Sequence, residues 1–114
     1  MLAVWLLSAI AHSWDNTISG AGQVGLGLMA ITNQAAGVIN ANQPTALTIQ
    51  PNTAGGLTNL GLIEATNGGN LVLSGSTFTN TGGTIRVDAT GGASQATVTG
   101  NATVTGGAVT LVGA

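Results

Sequence analysis

Charged side chains are almost absent from this sequence of 114 residues. Lysine and arginine together occur once and aspartate and glutamate three times, so that 4% of the residues are charged, against roughly 25% in an average globular domain. Acid and base catalysis relies on such side chains, and phosphate binding needs several Lys or Arg residues. The composition therefore argues against an enzyme and against a nucleic-acid-binding protein.

Cysteine and tyrosine are missing, and aromatic residues make up only 3% of the sequence. Without cysteine the chain has neither a disulfide nor a Cys-ligated metal site. His12 is the single histidine, so we predict no metal site and no other cofactor. Hydrophobic residues nevertheless make up 44% of the chain and the net charge is −2, which is unlike the low hydropathy and high charge of disordered segments. We expect a folded chain stabilised by many small, repeated contacts.

Residues 1–14 differ from the rest of the chain. The apolar run at residues 1–11 (MLAVWLLSAIA) is shorter than the about 20 residues of a membrane-spanning helix, so we predict no membrane span. Ala9 and Ala11 fit a small-x-small cleavage pattern, but no Lys or Arg precedes the run as in a signal peptide. Three interpretations stay open: a truncated signal-like leader, a short capping helix over the end of the fold, and an accidental start site.

An internal repeat runs through residues 15–114, where Gly, Asn and Thr separate short β-branched stretches. Its anchors Ile39, Ile63, Ile85 and Val109 are spaced by 24, 22 and 24 residues. Each repeat reads as three short strands with alternating side chains. Such a unit buries its apolar edge only by stacking on its copies, at about 4.8 Å per coil. We therefore predict an all-β fold, a single-stranded parallel β-helix of about four to five coils.

Stacking assigns the equivalent residues of successive repeats to columns along the axis. Identical Asn side chains at a turn can then hydrogen-bond from coil to coil as a ladder. The predicted inward columns are Ile31, Leu57, Phe78 and Val104, and Ile39, Ile63, Ile85 and Val109. The predicted Asn ladder is Asn33, Asn59 and Asn80, beside an outward column of Thr32, Thr58, Thr79 and Thr105.

Three sequence features resemble the repeats of autotransporter passenger domains and filamentous-haemagglutinin-like bacterial adhesins. They are the run NTISGAGQVG at residues 16–25, the T-N-x-G-x-I unit at 58–63 and the GGTI turn at 82–85. The resemblance covers residues 15–114 and implies a right-handed parallel β-helix. It further implies a structural, adhesin-type surface module within a longer secreted or outer-membrane-displayed bacterial protein. Its partner would be an unidentified cell-surface or matrix ligand.

Other motifs suggest alternative functions. Residues 20–25 match G-x-G-x-x-G, but no helical pattern or acid about 20 residues later supports a dinucleotide site. Glu64 and Arg86 follow equivalent anchors, which predicts an exposed ion pair between coils worth about 0–1 kcal/mol. With Asp88 they are the only candidates for catalysis, and they lack the paired carboxylates of a glycosidase. We therefore predict no catalytic residues. A remnant of a carbohydrate-active β-helix enzyme is kept as the alternative function.

Thr-x-Thr pairs suggest a second alternative, an ice-binding solenoid. The pairs are Thr77 with Thr79, Thr97 with Thr99, and Thr103 with Thr105. The equivalent residues of other coils, Ala30 and Gly56, break the array, and Thr is common on solvent-facing strands in any case.

The strand-like run at residues 109–112 carries no charge and no proline. An unprotected strand edge pairs readily with another strand. We therefore expect the chain to self-associate through its C-terminal coil or to be continued by further coils.

Overall fold

The computed structural model describes residues 10–13 and 17–113, and within them all regular structure is β-strand. The strands, numbered in chain order, form three sheets. Sheet 1 consists of β1 (Ile10–Ser13), β4 (Ala30–Asn33), β7 (Leu57–Asn59), β10 (Thr77–Thr79) and β13 (Thr103–Thr105). Sheet 2 consists of β2 (Thr17–Gly20), β5 (Val38–Ala41), β8 (Leu62–Ala65), β11 (Thr84–Asp88) and β14 (Ala108–Val112). Sheet 3 consists of β3 (Gly22–Val24), β6 (Leu47–Ile49), β9 (Asn70–Ser74) and β12 (Gln95–Thr99).

The chain visits the three sheets in turn, so that each coil adds one strand to every sheet. All neighbouring strands pair in parallel. In sheet 2 the anchors are in register, since Ile39 pairs with Ile63, Ile63 with Ile85 and Ile85 with Val109. The molecule is therefore a three-sided parallel β-solenoid of four coils, followed by the two strands β13 and β14. This confirms the predicted all-β, stacked architecture.

The start of the solenoid differs from the expectation for residues 1–14. Residues 10–13 form β1, which pairs with β4 so that Ile10 lies opposite Ala30 and Ser13 opposite Asn33. These four residues are therefore a strand of the first coil and not part of a helix, because pairing gives the β4 edge the hydrogen bonds it otherwise lacks. The rest of the predicted leader or cap, residues 1–9 and 14, lies outside the described residues. In the described part of the chain no helix is long and apolar enough to cross a membrane.

A narrow apolar core runs along the axis of the solenoid. Along most strands of the middle coils buried and partly exposed residues alternate, as in Asn70–Ser74 and Thr84–Asp88, whereas in β8 the last three residues are all buried. Each large aliphatic side chain buried in this way contributes about 1.5–3 kcal/mol. The fully buried large residues include the following: Phe78, Met29, Ile39, Leu47, Ile49, Leu57, Ile63, Leu71 and Leu73. The core thus consists of short stacks of like side chains, one stack for each inward position.

Glycine at the corner between sheets 1 and 2 permits the coils to approach each other. A Cβ atom at Gly83 would overlap the backbone carbonyl oxygen of Asn59 in the preceding coil and lie 2.7 Å from its Nδ2. At Gly61 a Cβ atom would overlap the carbonyl oxygens of Gln34 and Gly37. Neither glycine needs a positive φ, so close packing of backbone on backbone is the reason for the glycine of the T-N-x-G unit.

Candidate functional sites

The three asparagines at the end of the sheet 1 strands form a continuous hydrogen-bonded ladder. Asn33 Nδ2 donates to Asn59 Oδ1 at 2.8 Å, and Asn59 Nδ2 donates to Asn80 Oδ1 at 2.8 Å. Asn80 Nδ2 continues the series to the backbone carbonyls of Gly106 at 3.3 Å and Ala108 at 3.0 Å. All three side chains are buried. An amide in this position has one neighbour above and one below, which suits it to hold coils in register.

The ladder also ties together the corner between sheets 1 and 2. Asn33 Nδ2 contacts the carbonyl of Leu62, and Asn59 Nδ2 contacts the carbonyl of Thr84, both at 3.1 Å. Asn59 Oδ1 accepts a further bond from the backbone N–H of Gly61. These bonds satisfy the N–H of Gly61, which lies between the sheets, and the carbonyls of the first residues of β8 and β11. The chemistry of the ladder is structural, because it is closed off from solvent.

Glu64, Arg86 and Asp88 form one charged cluster on the outer side of sheet 2. Glu64 lies on β8 and pairs in register with Arg86 on β11. Arg86 Nη1 donates to Glu64 Oε1 at 3.2 Å, and Nη2 donates to Asp88 Oδ2 at 3.0 Å. Side chains two residues apart on a strand share a face, which brings Asp88 to the same guanidinium. One arginine therefore binds both carboxylates.

The two carboxylates differ in their surroundings. Glu64 is buried although it lies on the outer side of its strand. The sequence predicts an exposed ion pair, and the burial of Glu64 corrects that prediction. The side chain of Arg86, which binds the Glu64 carboxylate, accounts for part of this burial. Asp88 accepts a bond from the backbone N–H of Thr90 at 2.9 Å. Hydrogen bonds from the Thr90 hydroxyl and then from its N–H, together with the nearby Arg86, lower the pKa of Asp88 below its usual value of 3.8. A general acid in glycoside cleavage needs the opposite, a raised pKa.

The outer side of sheet 1 carries a threonine column. Thr32 pairs in register with Thr58, Thr58 with Thr79, and Thr79 with Thr105. A second pair, Thr77 with Thr103, lies beside the last two members. The result is an uncharged strip of hydroxyl and methyl groups over four coils, and it is two threonines wide only at its C-terminal end.

The G-x-G-x-x-G motif lies at a corner of the first coil. Gly20 ends β2 and Gly22 begins β3, and both have positive φ. The residues that follow enter a turn and then β4, so the helix that would hold a pyrophosphate does not form here. Among residues 10–13 and 17–113, no three His, Cys, Asp or Glu side chains come together as metal ligands.

The inward columns hold along the solenoid except at its C-terminal coil. Ile31, Leu57 and Phe78 are buried, as are Ile39, Ile63 and Ile85. Val104 is partly buried, and Val109 is in register but 63% exposed. Val109 thus continues the inward column in register with Ile85, but its side chain is exposed because no described residue lies over it.

The sequence predicts an unprotected strand edge at residues 109–112 but not the apolar cavity beside it. Val98 is 51% exposed and Leu111 79% exposed, and both line a cavity of about 380 Å³ with Val104 and Val109. Their inward alternation in β12 and β14 was the signal that could have revealed this surface. No family model, curated protein sequence or solved structure matches this chain.

Proposed function

We propose that this chain is a structural, adhesin-type module of a longer secreted or outer-membrane-displayed bacterial protein. Its role is to form a weakly charged solenoid segment that contacts cells or matrix through its side. The observation that carries the proposal is the threonine column of sheet 1, which repeats the same outward residue in register over four coils. A repeated, partly or fully exposed position offers the same contact on each of these four coils.

The charged cluster supports a structural role. Glu64 and Asp88 are both bound by Arg86, so each carboxylate has a partner within the protein. A hydrolase on this fold needs one protonated carboxyl and one free carboxylate facing a substrate. The lowered pKa of Asp88 makes this residue unsuited to be the protonated carboxyl. The charged cluster is therefore better suited to joining neighbouring coils than to transferring a proton to a substrate.

The nature of the contact follows from the composition of the threonine column. Hydroxyl and methyl groups recognise a partner by hydrogen bonds and close packing, without long-range charge. Contacts between exposed charges weaken strongly as salt rises, because the screening length falls to about 3 Å at roughly 1 M. We expect adhesion through sheet 1 to change little over that range.

Beads coated with the purified chain test the proposal on cultured epithelial cells, fibronectin, collagen and laminin. Adhesion to at least one surface, retained at about 1 M salt, is the expected result. Thr79→Lys on sheet 1 should reduce it, whereas Thr48→Lys on sheet 3 serves as the matched control. Both threonines are partly exposed strand residues. Failure to adhere to any surface, or an equal loss in both variants, would contradict the proposal.

The two alternatives have their own measurements. Release of reducing or unsaturated ends from a panel of plant and bacterial polysaccharides would replace the structural role by an enzymatic one. The threonine column is the specific observation in favour of ice binding, and thermal hysteresis measures that activity directly. We expect no thermal hysteresis, because the strip reaches a width of two threonines only at Thr77 and Thr103. We expect no polysaccharide cleavage, because Arg86 binds both carboxylates of the charged cluster.

A further inference from the structure

The corner between sheets 2 and 3 in the third coil contains a chemically reactive dipeptide. Asn67 is the one asparagine of this sequence that is followed directly by glycine, Gly68. Glycine has no side chain, so its backbone nitrogen can reach the amide carbon of the preceding asparagine with little hindrance. Asn67 is exposed, although the next coil lies beside it: a Cβ atom at Gly91 would lie 3.5 Å from its Oδ1. Asn67 is therefore the asparagine of this chain best suited to spontaneous deamidation.

A tight turn explains why this dipeptide lies at the corner. Asn67 and Gly68 have φ values of 55° and 79°, and the N–H of Gly69 donates to the carbonyl of Thr66 at 2.9 Å. Positive φ at both central residues is the mark of a type I′ turn, for which Asn-Gly is a favoured sequence. A Cβ atom at Gly68 would meet no described atom within 4 Å. Backbone conformation and not packing therefore accounts for the glycine at this position.

The nitrogen that would attack Asn67 is bound by the next coil. The N–H of Gly68 donates to the hydroxyl oxygen of Ser94 at 3.0 Å, and Ser94 lies between β11 and β12. Deamidation begins when this nitrogen loses its proton and turns toward the side chain of Asn67. The hydrogen bond to Ser94 opposes both changes, because it holds the proton in place and directs the N–H toward the next coil.

We propose that Asn67 is a site of spontaneous deamidation and that Ser94 is the positioning residue that controls its rate. The Gly68 nitrogen gives up its proton and forms a bond to Cγ of Asn67. The bond from Cγ to Nδ2 breaks, and Nδ2 takes up the proton and leaves as ammonia. Solvent water then opens the succinimide ring at either carbonyl and leaves aspartate or isoaspartate. This modification site is separate from the threonine column of the proposed adhesin-type function.

Isoaspartate fits this corner poorly. It lengthens the main chain of the turn by a methylene group, and the turn is enclosed on two sides. A Cβ atom at Gly69 would overlap the carbonyl oxygen of Ala41 in the preceding coil, and one at Gly92 in the next coil would lie 2.9 Å from the nitrogen of Gly68. We therefore expect incubated, modified protein to unfold at a lower temperature than freshly purified protein.

Incubation of the full chain at mildly alkaline pH, followed by peptide mapping with mass spectrometry and isoaspartyl methyltransferase labelling, tests the site. We expect modification at Asn67 in the wild type. In Ser94→Ala the rate should rise about 2–10-fold, the factor that corresponds to one hydrogen bond of ordinary strength. Ser94→Thr keeps a hydroxyl and should keep the wild-type rate. Ser74→Ala is the matched control, since Ser74 is another partly exposed serine, on β9 of the same coil as Asn67, and it should also leave the rate unchanged.

Circular dichroism shows whether Ser94→Ala stays folded. If that variant unfolds, a peptide of residues 64–71, which has the dipeptide without Ser94, gives the unrestrained rate, and the folded wild type should be modified more slowly. Equal rates in the wild type and in folded Ser94→Ala, or in the wild type and the peptide, would overturn control by Ser94. Modification of the peptide but of neither folded protein would overturn the assignment of Asn67. Faster modification at Asn101, which is exposed with a φ of 65° but precedes alanine, would contradict the role given to the glycine.

Discussion

Ile63 in the third coil and Val109 in the last occupy the same position of the repeat. The two strands are joined through Ile85, which pairs in register with both residues. Ile63 is fully buried, whereas Val109 is 63% exposed. Both side chains are β-branched and aliphatic, so the difference in burial comes from what lies on either side of each strand. A coil of a solenoid is stabilised by its neighbours, and an inward residue is buried only when a further coil covers it.

The asparagine ladder shows the same dependence on neighbours. Asn59 accepts a hydrogen bond from Asn33 and donates one to Asn80, so it is held from both sides. Asn80 donates instead to the backbone carbonyls of Gly106 and Ala108 in the last coil. The middle coils are therefore joined through both side chains and backbone, and the last coil through its backbone alone at this corner.

The largest difference in the free energy of unfolding is expected between two variants that place an aspartate at Ile63 or at Val109. Ile63→Asp buries a carboxylate between stacked strands without a partner, which costs several kcal/mol and is enough to unfold a domain of ordinary stability. Val109→Asp leaves its carboxylate in solvent and should lower the stability of the monomer only slightly. Chemical denaturation followed by circular dichroism at low protein concentration measures both.

Equal losses in these two variants would contradict the comparison, since they would show that the last coil is packed as tightly as the middle of the rod. An unchanged transition in Ile63→Asp would mean that the register of sheet 2 is wrong.

A smaller loss is expected when the ladder is cut in its middle. Asn59→Ala leaves the Oδ1 atom of Asn80 and the backbone N–H of Gly61 without the hydrogen bonds that Asn59 supplies, whereas Asn33 Nδ2 keeps the carbonyl of Leu62. Each buried polar group left unpaired costs about 1–3 kcal/mol, so the free energy of unfolding should fall by about 2–4 kcal/mol. Thr58→Ala, one residue earlier on the outer side of β7, is the control and should change it by less than about 0.5 kcal/mol. Equal effects would show that the ladder adds no stability.

The two corner glycines Gly83 and Gly91 permit a test at the level of a single methyl group. Gly83→Ala forces a Cβ atom against the backbone of Asn59, and relieving such overpacking costs about 1–3 kcal/mol. At Gly91, near the start of the last coil, a Cβ atom would meet only ordinary contacts, of which the nearest is 3.5 Å away. Neither position needs a positive φ. Thermal unfolding should therefore separate the two variants, and an unaffected Gly83→Ala would contradict the close approach of the coils.

The architecture could be predicted because the repeat is visible in the residues themselves. Ile39, Ile63 and Ile85 recur at the spacing of one coil, and each follows a Gly turn, so that stacking them fixes the register of sheet 2. The same reasoning did not predict the exposure of Val109, since exposure depends on the coil beyond it. It also did not predict β1, because residues 10–13 become a strand only by pairing with β4.

The charged cluster could be predicted only in part. The repeat places Glu64 and Arg86 on adjacent coils, and from this the cross-coil contact can be expected. The second contact of Arg86, with Asp88, and the bond from Thr90 to Asp88 depend on the local path of the chain after β11. The burial of Glu64 depends on the position of the arginine side chain above it. Such features follow from three-dimensional packing and have no signal in the spacing of residues.

The smallest effect concerns Asp88, which lies at the end of β11 opposite Val112 and so at the boundary between the middle coils and the last coil. Hydrogen bonds from Thr90 and the charge of Arg86 lower its pKa in the folded state below 3.8. A lowered pKa means that the folded state favours the ionised carboxylate, so the resulting stability is complete above the unfolded pKa and is lost as the pH falls through the folded value. Asp88→Asn should therefore be less stable than the wild type at neutral pH, and the difference should shrink below pH 3.8. Thr90→Val removes the hydroxyl but keeps the backbone N–H, and it should produce part of the same change. Carboxyl carbon chemical shifts followed by NMR give the pKa directly, and a value at or above 3.8 in the folded protein would contradict this account of the boundary.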